Sequence, residues 1–193
     1  MIREVIQLGN PRLRMRCAAV EDAAAPQTAA LVDDLRDTVR HWRATTSYGR
    51  AIAAPQLGVL RRVIYVDVEG GHPMVNPEIV EASVERMVVW DACLSFLAIF
   101  CQVVRHRWIV VRYQDLSGAT REMRAEGDLS ELLQHEIDHL DGILTVDRMV
   151  SAATLCTREE FEKRYRGDSP YATAGSPESA VSTEPVSQVP LGA

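Results

Sequence analysis

The sequence predicts an α+β fold, and three observations carry that expectation. An amphipathic helical pattern lies near the N-terminus, β-type segments fill the middle of the chain, and a second helical pattern built around QHEIDHLDG follows them. A length of 193 residues, with 47% hydrophobic and 25% charged, suits one domain whose core needs no disulfides.

Residues 1–20 contain the turn Gly9-Asn10-Pro11 and no clean periodicity, so an extended arm is expected there, with no role that the residues reveal. From Thr28 to Arg43, Leu31, Val32, Leu35, Val39 and Trp42 fall on one stripe opposite Asp33, Asp34, Arg36, Asp37 and Arg40, which predicts an amphipathic helix. GRAIAAPQLG, residues 49–58, reads as a loop whose small residues let the backbone approach something closely. Val63 to Val68 is a β-branched run, Gly70-Gly71 a turn, and Val75-Asn76-Pro77 opens an extended stretch from Ile79 to Val84. Val88 to Trp90 then leads into Asp91-Ala92-Cys93-Leu94-Ser95.

Residues 101–115, CQVVRHRWIVVRYQD, and residues 119–125, ATREMRA, read as the two strands of one hairpin turning at Leu116-Ser117-Gly118. A helix is expected from about Asp128 to Asp141, ending near Gly142, with Ile143 to Val146 as an extended exit and a last helix from Thr157 to Tyr165. Beyond Gly167 the chain has four prolines and five serines with little to bury, so residues 1–166 are expected to form the domain and 167–193 a disordered tail.

The net charge is −6, and the last 27 residues carry Asp168, Glu178 and Glu184 with no Lys or Arg, a balance that argues against nucleic acid or an anionic membrane as partner. No apolar run approaches the ~20 residues of a membrane span and the N-terminus lacks the apolar core of a signal peptide, so a cytoplasmic monomer is expected. Cys17, Cys93, Cys101 and Cys156 show no CxxC pair, which predicts reduced thiols. Three of them, Cys17, Cys101 and Cys156, read as small buried or partly buried hydrophobes.

The chemistry concentrates in residues 134–142. His135 and His139 are spaced i, i+4, so one helical face can turn both imidazoles toward a single ion, and Glu136 lies one step round the helix, where a general base would reach a water. Leu129, Leu132, Leu133, Ile137 and Leu140 recur at helical spacing around the motif, which makes this helix core and demands that its polar groups be paired or coordinated. Asp138 and Asp141 are the expected acceptors to orient an imidazole. A catalytic site of this type needs a third protein ligand. Cys93 is the candidate; His41, His72 and His106 compete, and each reads more simply as a surface residue.

With GRAIAAPQ, DACLS and QHEIDHLDG in this order over residues 49–142, the chain resembles the peptide deformylases. The resemblance implies a mixed or antiparallel sheet wrapped around the HExxH helix, metal ligands at Cys93, His135 and His139, and Glu136 as acid and base. It assigns the side-chain amide of Gln56 and the backbone N–H of Leu94 to the formyl oxygen. Arg50, Ala51, Ile52 and Leu132 are the expected substrate contacts, Ile52 and Leu132 contributing the apolar pocket for a methionine side chain. The implied metal is Fe²⁺, with Zn²⁺, Ni²⁺ or Co²⁺ as substitutes, and the implied partners are formylated peptide N-termini at the ribosome.

The chain also departs from the family pattern. Ala51 stands where Gly is common, Asp91-Ala92 where Glu-Gly is common, Phe96-Leu97-Ala98 where a proline often follows, and Ser130-Glu131 where Ala-Arg is common. Asp91 keeps a carboxylate with a shorter reach than Glu, and the resemblance implies that it still pairs with Arg105, fourteen residues on. Two other readings stand beside deformylation of nascent peptides: a deformylase for another formylated peptide or small amide, and a protein that binds peptide N-termini with little turnover because of Ala51 and Ala92. An HExxH peptidase is a weaker third, since nothing downstream supplies its third ligand.

Overall fold

Helix α1, Pro26–Thr46, begins with a proline in its first turn, where the missing N–H would have had no helical partner anyway. The computed structural model describes residues 1–168 except Glu69. The expected α1 stripe is buried at Val32, Leu35 and Val39. The stretch read as a loop instead holds β1, Ala51–Ala53, and a 3-10 turn, Ala54–Leu57. A strand of three residues, Ala-Ile-Ala, has no room to show alternation, which is why its sequence reads as a loop.

Strand β2, Val63–Val66, pairs antiparallel with β1 and with β3, His72–Ala82. All four β2 residues are buried because both faces are covered. Ile64 and Val66 pack with Met74, Leu133 and Ile137, while Val63 and Tyr65 face Leu35 and Val39 of α1. Strands β4, Arg86–Ala92, and β5, Ile99–His106, pair in a second sheet. Strands β6, Trp108–Gln114, and β7, Thr120–Glu126, form the expected hairpin in the first. The strand orders are β1-β2-β3-β6-β7 and β4-β5-β8, where β8 is the two-residue Cys156–Thr157, and every pairing between strands is antiparallel.

The single strand expected over 101–115 is therefore two, divided at Arg107 between different sheets. The break leaves no trace in the pattern. Residues 101, 103 and 105 are buried before it and 109 and 111 after it, so the two-residue alternation keeps its parity across the bend. Helix α2, Gly127–Leu140, follows, and every residue from Ser130 to Leu140 is buried. The sheets enclose it, Leu133, Ile137 and Leu140 packing on Ile64, Met74, Ile109 and Val111. Its exit is not extended as expected but forms a 3-10 turn at Thr145–Asp147, closed by the Asp147 carboxylate accepting from the Leu144 N–H at 2.8 Å. Helix α3, Arg158–Arg164, matches the last expected helix, and Phe161 anchors it by stacking on Phe100. The tail expected to be disordered lies, from residue 169 on, outside the described residues.

The N-terminal arm has a role its residues did not reveal. Ile6 N–H donates to the Gln56 carbonyl at 2.9 Å, Leu8 N–H to the Ser95 carbonyl at 2.8 Å, and Cys17 N–H to the Leu140 carbonyl at 2.8 Å, so one segment ties together all three motifs. Arg14 backs onto Gly142, whose φ is +74° and where an added Cβ would sit 2.6 Å from the Arg14 carbonyl oxygen. Gly142→Ala is therefore expected to destabilise the fold by about 1–3 kcal/mol through backbone strain alone, and by more once the arm is displaced. The check is a urea unfolding midpoint, which should fall with an unchanged slope.

Candidate active site

Helix α2 presents His135 and His139 one turn apart, with ring centroids 4.9 Å from each other. Cys93 lies just past β4 and caps a 3-10 turn, Leu94–Phe96, which points its sulfur at the helix. Cys93 Sγ is 3.2 Å from His139 Nε2, and ligand atoms of Cys93, His135 and His139 all lie within 4.8 Å of one another. All three side chains are buried. One sulfur and two imidazoles converging in a buried site fit the donor set of a divalent transition metal.

The surrounding groups fix the rings. His135 Nδ1 lies 2.9 and 3.0 Å from the two Asp91 carboxylate oxygens and 3.2 Å from Thr145 Oγ1. A proton held on Nδ1 leaves Nε2 as the ring's lone-pair donor. Asp91 in turn accepts from Arg105 Nη2 at 3.1 Å. Arg105 also bonds Asp138, which accepts from Arg148 Nη2 at 2.7 Å. Burial alone would push Asp91 up, but His135 and then Arg105 outweigh it and hold the carboxylate down at about 2. Burial lowers His135 as well, and the Asp91 charge overrides it, raising that ring well above the usual imidazole range. His139 has no such carboxylate, so burial and the neighbouring His135 push it well below that range.

Glu136 is 3% exposed, and burial, reinforced by Asp91 and Glu131, lifts its carboxyl to about 7. Its Oε2 has no hydrogen-bond partner among the described residues. A group that can hold or give up a proton near neutrality, with one oxygen uncommitted, can serve as base and then acid. Gln56 is oriented by its own loop: Oε1 accepts from the Ala53 N–H at 2.9 Å, which turns Nε2 toward Cys93 Sγ at 3.4 Å and Ser95 Oγ at 3.3 Å. Leu94 is the first residue of its 3-10 turn, a position whose N–H has no partner within the turn. A cavity of about 480 Å³ opens over this set, lined by Arg50, Ala51, Gln56, Leu94, Leu132 and Glu136 among others.

Of the residues singled out from sequence, Cys93, His135 and His139 meet beneath the cavity, and Glu136, Gln56, Leu94, Arg50, Ala51 and Leu132 line it or its floor. Ile52 does not join them. It alternates away from Ala51, is 0% exposed, and packs with Leu35, Val39, Leu57 and Val63 beneath α1. Asp138 and Asp141 orient no imidazole: the first holds Arg105 and Arg148, the second Arg62 at 2.7 Å. Asp91 orients His135 instead, while keeping the expected pairing with Arg105. Ser95, part of the DACLS motif, holds Cys93 in place through its N–H at 3.4 Å from Sγ, whereas Thr145, whose hydroxyl lies 3.2 Å from His135 Nδ1 and 3.5 Å from Asp91 Oδ2, left no readable signal. His41, His72 and His106 lie apart from the cluster, on α1, on β3, and with His106 Nδ1 at 2.6 Å from the Ser83 carbonyl oxygen.

A family model described as polypeptide deformylase matches residues 2–154. A peptide deformylase of Thermomicrobium roseum is 41% identical over 164 residues, covering 80% of this chain and 89% of that protein. Among solved structures, the peptide deformylase of Thermotoga maritima superposes with a TM-score of 0.73 at 32% identity, over 78% of this chain and 99% of that one. A class I type b peptide deformylase from Acinetobacter baumannii with Met-Ala-Ser bound gives 0.72 at 31% identity, over 77% of this chain and 99% of its own.

Proposed function

Because the chain belongs to the polypeptide deformylase family, we propose that Cys93, His135 and His139 hold its metal and that Glu136 is its general base and acid. The reaction is metal-dependent hydrolysis that removes the formyl group from the N-termini of nascent peptides. The observation that carries the residue assignment is the 3.2 Å approach of Cys93 Sγ to His139 Nε2 beneath a cavity lined by Glu136.

Cys93, His135 and His139 would hold a divalent ion, which would supply Lewis acidity when bound. Glu136 takes the water's proton and passes it to the departing amine, so that formate and a free N-terminus leave. As negative charge grows on the formyl oxygen, Gln56 donates to it from Nε2 and Leu94 from its backbone N–H. Strand β1 forms one edge of its sheet, which suits a substrate backbone adding there as a further strand beside Arg50 and Ala51. Leu132, the residue of α2 just before Leu133 on the cavity side, contacts the first side chain.

Fe²⁺ is the proposed native metal, with Zn²⁺, Ni²⁺ or Co²⁺ as substitutes, since one thiolate and two imidazoles suit any of these ions. If it is iron, activity decays in air and survives anaerobic handling; equal activity in both preparations counts against it. Residues 1–166 are proposed as the catalytic domain of a cytoplasmic monomer that meets its substrates at the ribosome and binds no nucleic acid. No described helix is long and apolar enough to cross a membrane. The deciding experiment measures metal content and formate release from a formyl-Met peptide together. One ion per chain with no formate released would sink the hydrolase assignment and favour a binding protein.

A further inference from the structure

Helix α1 ends against the edge of the first sheet, and one of its side chains reaches across to that edge. Arg43 Nε donates to the Gly49 carbonyl at 2.8 Å, Nη2 donates to the Asp67 carbonyl at 2.7 Å, and Nη1 lies 3.0 Å from Asp67 Oδ2. The turn between α1 and β1 is tight. Ser47 caps the helix at φ +65° and donates its N–H to the Arg43 carbonyl at 3.0 Å, and Gly49 follows at φ +118°, which an L side chain rarely adopts. A Cβ at Gly49 would sit 3.1 Å from the Val39 carbonyl oxygen, so the turn lies directly on the helix. Gly49 stands two residues before β1 begins at Ala51, and Asp67 one residue after β2 ends at Val66. The ladder between these strands stops at Ala51 and Val66, and just past it the Asp67 N–H donates to the Arg50 carbonyl at 2.7 Å. One guanidinium therefore grips both chains at the end of their ladder. Arg43, Gly49, Ala51 and Asp67 all line the cavity that Glu136 lines.

A three-residue strand at the edge of a sheet has few ladder bonds to hold it, and the end of a ladder is the first part to open. A peptide that adds to such an edge must order it, and that ordering is subtracted from the binding free energy. A planar fork of donors fixed on three oxygens does the ordering in advance. Resting on the deformylase reading above and on its placement of the substrate along β1, we propose that Arg43 is a positioning residue. By holding the Gly49 and Asp67 carbonyls it keeps the β1 edge in the geometry that a substrate backbone needs, so its contribution grows with the length of peptide beyond the first residue. Asp67 has a second cation, Arg40 Nη2 at 3.0 Å, and removal of the Arg43 guanidinium leaves that carboxylate paired.

The test compares the metal-loaded wild-type protein with Arg43→Met, which keeps an unbranched stem and removes every donor, and with Arg43→Lys, which keeps the charge beside Asp67 and removes the fork. Turnover is measured on formyl-Met and on formyl-Met-Ala-Ser, and calorimetry follows binding of the unformylated Met-Ala-Ser. In Arg43→Met the ratio of kcat/KM on formyl-Met-Ala-Ser to that on formyl-Met is expected to fall about tenfold, carried by KM, with binding of Met-Ala-Ser weakened by a similar factor. Arg43→Lys is expected to stay at least about threefold below wild type in the same ratio, since one ammonium cannot bond both carbonyls and the carboxylate together. A ratio within about threefold of wild type in either variant overturns the proposal: it means that general damage, or charge alone, accounts for any loss of turnover. If Arg43→Met does not fold, the lysine variant decides alone. Weakened binding of Met-Ala-Ser by the variants with no formate from any of the three proteins overturns the deformylase reading and upholds the clamp. Formate released in the same ratio by all three overturns the clamp and upholds the deformylase reading.

Discussion

Glu136→Gln is expected to lower formate release by about 10²–10⁴-fold, the usual contribution of a positioned acid–base group, while the protein keeps its metal. Glutamine has the same shape as glutamate and position 136 is not one of the three proposed ligands, so the site proposed for the ion should be left intact. The same substitution should make the metal-free protein more stable above neutral pH. The sign follows from the carboxyl's raised proton affinity, about 7 in the fold against an ordinary value of 4.5. Below pH 4.5 the carboxyl is protonated whether the chain is folded or not, and the two proteins differ little. Between 4.5 and 7 the unfolded chain gives up its proton while the fold retains it, so wild-type stability falls with rising pH. The neutral amide has no such loss. The check is a pair of denaturation curves, at pH 4.5 and pH 8, on chelated protein: a gain for the variant at pH 8 that vanishes at pH 4.5, alongside lost turnover, identifies a carboxylate kept under strain for function. A variant that loses its metal instead would show that Glu136 belongs to the ligand set.

How much of this could be read from the residues depended on whether the information was local. The i, i+4 spacing of His135 and His139 and the apolar repeat around them are contained in one helix, and α2 has the expected face and nearly the expected ends. Cys93 could be proposed as the third ligand because the chemistry demanded a third donor and few residues qualified, and the fold does bring its sulfur within 3.2 Å of His139 Nε2. What failed was long-range. The bend at Arg107 preserves the parity of buried positions on either side, so no pattern could announce that β5 and β6 belong to different sheets. Ile52 was expected in the apolar pocket for a methionine side chain, yet a strand sends neighbours to opposite faces, and the Ile52 side belongs to α1. A strand of three residues, Ala51–Ala53, is too short to display that alternation in the sequence. The arm of residues 1–20 reaches the three motifs through backbone hydrogen bonds, which any residue but proline can make, and its buried Val5, Leu13 and Cys17 are too irregularly spaced to form a periodic pattern.

The polar groups of α2 show why its acidic residues were misassigned. A helix buried on every side must satisfy each charge by contact with another element, and the partner is chosen by which neighbour arrives, not by proximity along the helix. Arg105 comes from β5 and reaches Asp91 and Asp138 together, so Asp138, one residue before His139, is drawn away from both imidazoles. The carboxylate that does orient His135 comes from β4, forty-four positions before it.

That arrangement makes Arg105 the residue whose removal should cost most in stability. It is 2% exposed and stands between two buried carboxylates, and truncation leaves both without their shared counter-charge. Arg105→Ala is expected to destabilise the fold by about 3–5 kcal/mol, the range for breaking a buried ion pair from one side. Arg105→Lys should recover only part of this, since a point charge cannot bond two carboxylates in the planar geometry of a guanidinium. The dependence on acid separates this account from a simple packing loss. In the wild-type protein Asp91 sits at about 2, well below the ordinary 3.8, so its contribution is complete above about pH 4 and disappears as the pH falls toward 2. Without Arg105 the depression of Asp91 is smaller, and the stability lost over that interval should shrink with it. Metal affinity offers a second, independent reading: Asp91 no longer anchored holds His135 less firmly, and loss of such a supporting contact typically weakens a site by about 10–100-fold. A variant within 1 kcal/mol of wild type in urea, with unaltered metal affinity, would mean that His135 is held by Thr145 and the fold alone.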